Sequence, residues 1–166
     1  MRIATVLLAW LSMLAVDLVL HAGLLAGFYV EGSGFLLAPA DAFVRIPAGY
    51  AAFLGLAVAL VWLMGRLGTV GLLPGARLGL ALGAIAWGSL VLGLWSITTA
   101  SPGLLAGWWI GQSLELGVGG GVAGSLAAGA SRRRVSAAVI GMLAAALAIV
   151  VILQSTGLAP AVRFES

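Results

Sequence analysis

Apolar residues run along this chain in five long blocks, at about 3–29, 48–66, 78–99, 102–127 and 135–155. Each block is about 20 residues or longer, enough for a helix to cross roughly 30 Å of hydrocarbon. A backbone in lipid must satisfy its own hydrogen bonds, and no block alternates as a barrel strand would, so the blocks read as helices. The pattern predicts an all-α integral membrane bundle of five transmembrane helices, with four as the alternative count. It also predicts a single transmembrane domain over residues 1–166.

The breaks carry turn and cap chemistry. Pro47 stands where the second helix is expected to begin, and Gly71, Pro74 and Gly75 mark a turn. Ser101-Pro102 offers an N-cap followed by a proline in the first helical turn. Arg132, Arg133 and Arg134 close the fourth block. The first block continues past Asp17 to about Tyr29, longer than the apolar core of a signal peptide, and reads as a retained helix. The connection at about 30–46 holds Glu31, Asp41 and Arg45 among Phe35, Leu36, Leu37, Phe43, Val44 and Ile46. Pro39 and Pro47 bracket it as a short helix lying at the lipid interface, or as a lid over an outward-facing cavity.

Composition narrows the setting. Of 166 residues, 63% are hydrophobic and 8% charged, more apolar surface than a water-soluble domain of this size can hide. The net charge of +3 rests on eight arginines with no lysine. They are too scattered for a nucleic-acid face, so no nucleic-acid partner is expected. In a five-helix arrangement Arg2, Arg66, Arg77, Arg132, Arg133 and Arg134 fall on one side, and Arg45 and Arg163 on the other. The positive-inside rule then places the N-terminus in the cytoplasm and the C-terminus outside. The chain has no cysteine, which removes disulfides, thiolate metal sites and cysteine nucleophiles.

Against this apolar background, Asp17, His21 and Glu115 stand inside spans. An ionisable side chain at the bilayer centre costs roughly 2.5–3.5 kcal/mol on insertion scales, so it normally faces a partner or a wet cavity. Asp17 and His21 are spaced i, i+4 and share a helix face, as do Gln112 and Glu115 at i, i+3. Asp17, Gln112 and Glu115 lie within about two turns of the midplane, so contact between the first and fourth spans would bring the four residues into one cluster. Such a cluster is a candidate site for a proton or a small polar solute, with Trp87 as a further lining residue. Desolvation and mutual charge act on it in opposite senses, which predicts a proton exchanged near neutral pH. The structural alternative is a polar lock between helices. No HExxH or paired-histidine spacing is present, so no metal and no cofactor are expected. An intramembrane enzyme has least support, because no Ser-His-Asp arrangement and no basic phosphate pocket can be found.

Glycine is abundant at 25 residues. Gly23 with Gly27, Gly79 with Gly83, Gly117 with Gly121, and Gly120 with Gly124 follow the small-xxx-small spacing of close helix packing. The run Gly117–Gly121 could also unwind its helix beside Glu115. Trp62, Trp95, Trp108 and Trp109 fit interfacial belts, and Ser96, Thr98 and Thr99 fit the capping of helix-end carbonyls. The fifth span is aliphatic and offers no chemistry. Gly141 and its alanine run suit lipid or an oligomer face. Expected partners are therefore the lipid bilayer and either a second copy or a membrane subunit. The rival to a proton or solute role is a non-catalytic subunit or scaffold.

The stretch Asp17-Leu18-Val19-Leu20-His21 with Phe28-Tyr29, and the layout from Trp87 through Thr98 to Trp109, Gln112 and Glu115, resemble small bacterial multi-pass inner-membrane proteins of unknown function. In that family an Asp precedes a Phe-Tyr pair near the end of the first helix. The resemblance spans the first four helices and implies a four- or five-helix bundle.

Overall fold

The computed structural model describes residues 3–30 and 35–160. Arg2, Glu31 and Arg163 lie outside the described residues. Six α-helices follow in order: α1 (Ile3–Val19), α2 (Ala26–Val30), α3 (Pro39–Leu67), α4 (Leu72–Ile97), α5 (Pro102–Ala127) and α6 (Arg132–Ser155). A π-helical turn, Leu20–Leu24, joins α1 to α2, so the two form one interrupted rod. There is no strand among the described residues. The expected helical bundle of four to five spans is therefore what the chain forms. Among the described residues, four segments are long and apolar enough to cross a membrane by length and composition: Ile3–Leu24, Asp41–Leu67, Leu72–Ile97 and Arg132–Ser155.

The fifth long helix, α5, falls outside that set because glycine, Gln112 and Glu115 dilute its hydropathy. It is nevertheless the centre of the bundle, with thirteen of its 26 residues buried. It packs against α4 along most of its length and also against α1 and α3, while α6 lies mainly on α1. A helix shielded by its neighbours does not need an apolar surface of its own, which is how polar side chains are tolerated on α5. An apolar core of Met13, Ala57, Leu60, Met64 and Leu116 fills the space between α1, α3 and α5.

The α4–α5 contact is built on glycine. A side chain at Gly75 would strike the carbonyl of Gly120, one at Gly79 the carbonyl of Leu116, and one at Gly124 the carbonyl of Gly71. Gly83 in turn faces Ser113. Gly75 is thus a packing position inside α4 and not part of a turn. Gly71, at φ 105°, is the N-cap, and its N–H donates to Gly124 O at 2.9 Å. That conformation is open to glycine and hardly to any other residue.

A second stripe on α5 faces α1. Side chains at Gly103, Gly107, Gly111 and Gly119 would meet Phe28, Leu25, Leu20 and Met13. The spacing is four residues, and Glu115 occupies the one place in the series that is not glycine. Gly117 sits against Leu80, Gly121 against Ala76, and Gly23 against Leu153 of α6. Gly27 and Gly141 have open space around them, so Gly27 is not the packing glycine its spacing suggested. Nor does the run Gly117–Gly121 unwind, because α5 is helical throughout.

Several boundaries move. α3 begins at Pro39 rather than 48 and carries Pro47 inside it, so 39–47 is helix and neither loop nor separate lid. Its 29 residues reach about 43 Å at ~1.5 Å each, more than the hydrocarbon requires. α4 starts at Leu72 and α6 at Arg132, each a few residues earlier than the apolar pattern indicated. Ser101 caps α5 as expected, its Oγ accepting from Leu104 N at 3.2 Å. Ser96 and Thr98 bond the carbonyls of Gly93 and Leu94. Exposed Arg66 and Arg77 share one end of the bundle with Arg132, Arg133 and Arg134, while Arg45 lies at the other.

Candidate functional site

The two antiparallel helices α1 and α5 touch, and their contact brings the four polar residues together. Asp17 Oδ1 lies 3.5 Å from His21 Nε2. Gln112 Nε2 donates to Glu115 Oε1 at 3.1 Å and stands 3.2 Å from His21 Nε2. One carboxyl oxygen each from Asp17 and Glu115 and one ring nitrogen of His21 lie within 4.8 Å of one another. Glu115 is fully buried, and Asp17 and Gln112 nearly so. His21 is the opening of the cluster, with 27% of its side chain exposed.

The glycines beside Glu115 on the α1-facing stripe, Gly111 and Gly119, are covered by Leu20 and Met13, so the carboxyl group is sealed between α1 and α5. Its Oε1 is held by Gln112, but Oε2 is buried with no hydrogen-bond partner. A buried polar atom without a partner is uncommon and costs desolvation energy. No arginine pairs with either carboxyl group among the described residues; the basic side chain at the cluster is His21, 3.5 Å from Asp17 and charged only when protonated. Any charge on two buried carboxyl groups must then be met by protons or by a bound cation.

The π-turn sets His21. Leu25 N reaches back five residues to Leu20 O at 2.7 Å, which widens the turn by one residue. In an unbroken α-helix, Tyr29 would lie about 80° around the axis from His21, at ~100° per residue. Absorbing one extra residue in the wide turn rotates Tyr29 back onto the face of His21. Helical side chains lean towards the N-terminus, so the long Tyr29 ring reaches down to the imidazole. His21 Nδ1 and Tyr29 Oη are hydrogen bonded, and Trp108 Nε1 donates to the same Tyr29 oxygen at 2.7 Å. Both ring nitrogens of His21 are thereby engaged, Nδ1 by Tyr29 and Nε2 beside Gln112 and Asp17. Single π-turns inside α-helices occur frequently at functional sites.

The wide turn also leaves Ala22 O available, and Gln154 Nε2 of α6 donates to it at 3.2 Å. The sixth helix therefore does contribute a polar group, contrary to the expectation from its aliphatic sequence. Trp87 does not join the cluster. It is half-buried against the apolar core that includes Leu116. Tyr29 and Trp108 take the place expected for it. Trp108 differs from Trp62, which is exposed beneath Arg66 with the guanidinium 5.5 Å from its ring. It also differs from Trp95, which is largely exposed.

Comparison with protein-family models, curated proteins and solved structures finds no match.

Proposed function

We propose that this chain is a multi-pass inner-membrane protein, one membrane domain over residues 1–166, that takes up a proton or a small polar solute at the Asp17–His21–Gln112–Glu115 cluster. The observation that carries this reading is Oε2 of Glu115, buried without a hydrogen-bond partner in a cluster of two carboxyl groups that no arginine balances among the described residues. A cluster serving only to lock helices would be expected to satisfy all its acceptors, since an unmet one weakens the lock. Asp17 and Glu115 are the charge-carrying pair, His21 is the exchanging group at the opening, and Gln112 orients both. The arginine-rich end faces the cytoplasm on this reading, supported by the gathering of Arg66, Arg77, Arg132, Arg133 and Arg134 there.

The rival is a scaffold that binds partner helices through glycine faces. Most glycines of α4 and α5 are already occupied by each other and by α1, Gly93 being open. Gly49, Gly55 and Gly65 of α3 and Gly141 of α6 also have open space that suits a partner. Proteoliposome flux separates the two. Proton or small-cation movement that is lost in Glu115→Gln supports the site; a chain with no flux that purifies with a stoichiometric partner supports the scaffold.

A further inference from the structure

Resting on that reading, we infer that the solute is a divalent transition-metal cation, held by Asp17, His21 and Glu115, with Gln112 as a fourth ligand. Three observations converge on it. The first is the donor set. Two carboxyl groups and one imidazole from α1 and α5 already lie within 4.8 Å of one another. Nitrogen and oxygen donors bind zinc at about 2.0–2.2 Å, so in a tetrahedral site they stand about 3.4 Å apart. Asp17 Oδ1 and His21 Nε2 are at 3.5 Å, and the widest pair closes by at most about 1.4 Å. Glu115 would reach the ion by rotation of its side chain, within the same contact between α1 and α5.

The second observation is Glu115 Oε2, fully buried in the cluster and without a partner. A cation gives that oxygen its missing interaction. One divalent ion also balances two carboxylates, which no side chain here does.

The third is how the histidine is held. A metal-binding imidazole is usually oriented by a hydrogen bond from its other ring nitrogen. Here Nδ1 is tied to Tyr29 Oη, itself fixed by Trp108, which leaves Nε2 turned to the two carboxyl groups. Gln112 stands at Nε2 with its amide. Rotating that amide by half a turn presents its oxygen in place of the NH2 group and completes four ligands. The mixture of nitrogen and oxygen donors suits zinc, manganese or cobalt. Calcium and magnesium prefer oxygen-only sites with more ligands. The linear spacing gave no metal motif because the ligands come from separate helices.

His21 is the only histidine and there is no cysteine, so the chain itself provides the readout. The full chain, free of any histidine tag and labelled with 15N-histidine, is placed in phosphatidylcholine nanodiscs and titrated with zinc chloride. One zinc per chain should bind, and the Nε2 resonance should shift while Nδ1 stays bonded to Tyr29. Cobalt in place of zinc should give visible d–d bands. Asp17→Asn and Glu115→Gln should each weaken binding by more than about 100-fold, and Tyr29→Phe by about 10-fold. An unshifted Nε2 at millimolar zinc in the wild-type chain overturns the inference without needing any variant to fold. Binding that Asp17→Asn and Glu115→Gln leave intact also overturns it. If zinc does not bind but Glu115-dependent proton flux persists, the metal assignment alone fails. If both are absent, the site reading fails with it.

Discussion

Trp108 Nε1 donates to Tyr29 Oη at 2.7 Å, across 79 residues of sequence, and the same oxygen bonds His21 Nδ1. One phenol therefore ties α5 to the far side of the π-turn and fixes the ring that opens the cluster. Tyr29→Phe removes the hydroxyl and leaves the Trp108 N–H and His21 Nδ1 without their partner. A buried donor without a partner costs about 1–3 kcal/mol, so thermal unfolding in detergent should fall by a few degrees. The more telling effect is on His21. Its ring should lose its single orientation, read as broadened or doubled imidazole resonances. A sharp, unchanged His21 signal would mean that Tyr29 does not set the ring.

The π-turn makes a prediction about length rather than chemistry. Deleting Leu24, which is largely exposed, should let the turn close into ordinary α-helix. Tyr29 then lies seven residues from His21 and stays within about 20° of its face, at ~100° per residue. The deletion should keep the His21–Tyr29 contact while helix content by circular dichroism stays the same. Insertion of an alanine after Leu67, outside the rod, should not disturb His21 either. A deletion mutant that loses the His21–Tyr29 contact would mean that the wide turn does not act by absorbing one residue.

Much of this was legible beforehand. Lipid forces long apolar runs, so five rods and most of their ends could be read directly. The i, i+4 pair Asp17 and His21, and the i, i+3 pair Gln112 and Glu115, fall on shared faces by helix geometry alone. Whether those faces meet could not be read, because no local pattern says which helices are neighbours. The α5 stripe Gly103, Gly107, Gly111 and Gly119 was the available clue, and its interruption by Glu115 pointed the carboxyl group at α1. The π-turn left no mark, since Leu20-His21-Ala22-Gly23-Leu24 is as acceptable in an α-helix. That hid Tyr29, and Trp108 passed for an interfacial residue. Pro47 looked like a helix start because a proline in a helix interior usually breaks it; in a membrane bundle it can be accommodated.

The two classes of glycine should separate cleanly on mutation. A methyl group at Gly79 would collide with the Leu116 carbonyl, and backbone cannot move aside as a side chain tip can. Gly79→Ala should destabilise by about 1–3 kcal/mol or more, as overpacking does. Gly27 has nothing within 4 Å, so Gly27→Ala should be neutral or gain up to about 1 kcal/mol from helix propensity. Unfolding in sodium dodecyl sulfate compares them on one scale. Equal losses would mean that α4 and α5 are not packed backbone to backbone.

Glu115→Gln gives the sharpest division between a functional site and a structural lock. Glutamine has nearly the same shape, and its carbonyl can still accept from Gln112. It removes the charge and replaces the orphaned Oε2 with an amide nitrogen facing Asp17 and His21. A residue kept for stability should cost stability when changed. A residue kept for function, carrying an unmet buried oxygen, should leave the protein as stable or more so by about 1 kcal/mol. The expected result is an unchanged or higher unfolding midpoint together with lost flux and lost ion binding. A midpoint several degrees lower, with no change in flux or ion binding, would assign Glu115 to packing between α1 and α5.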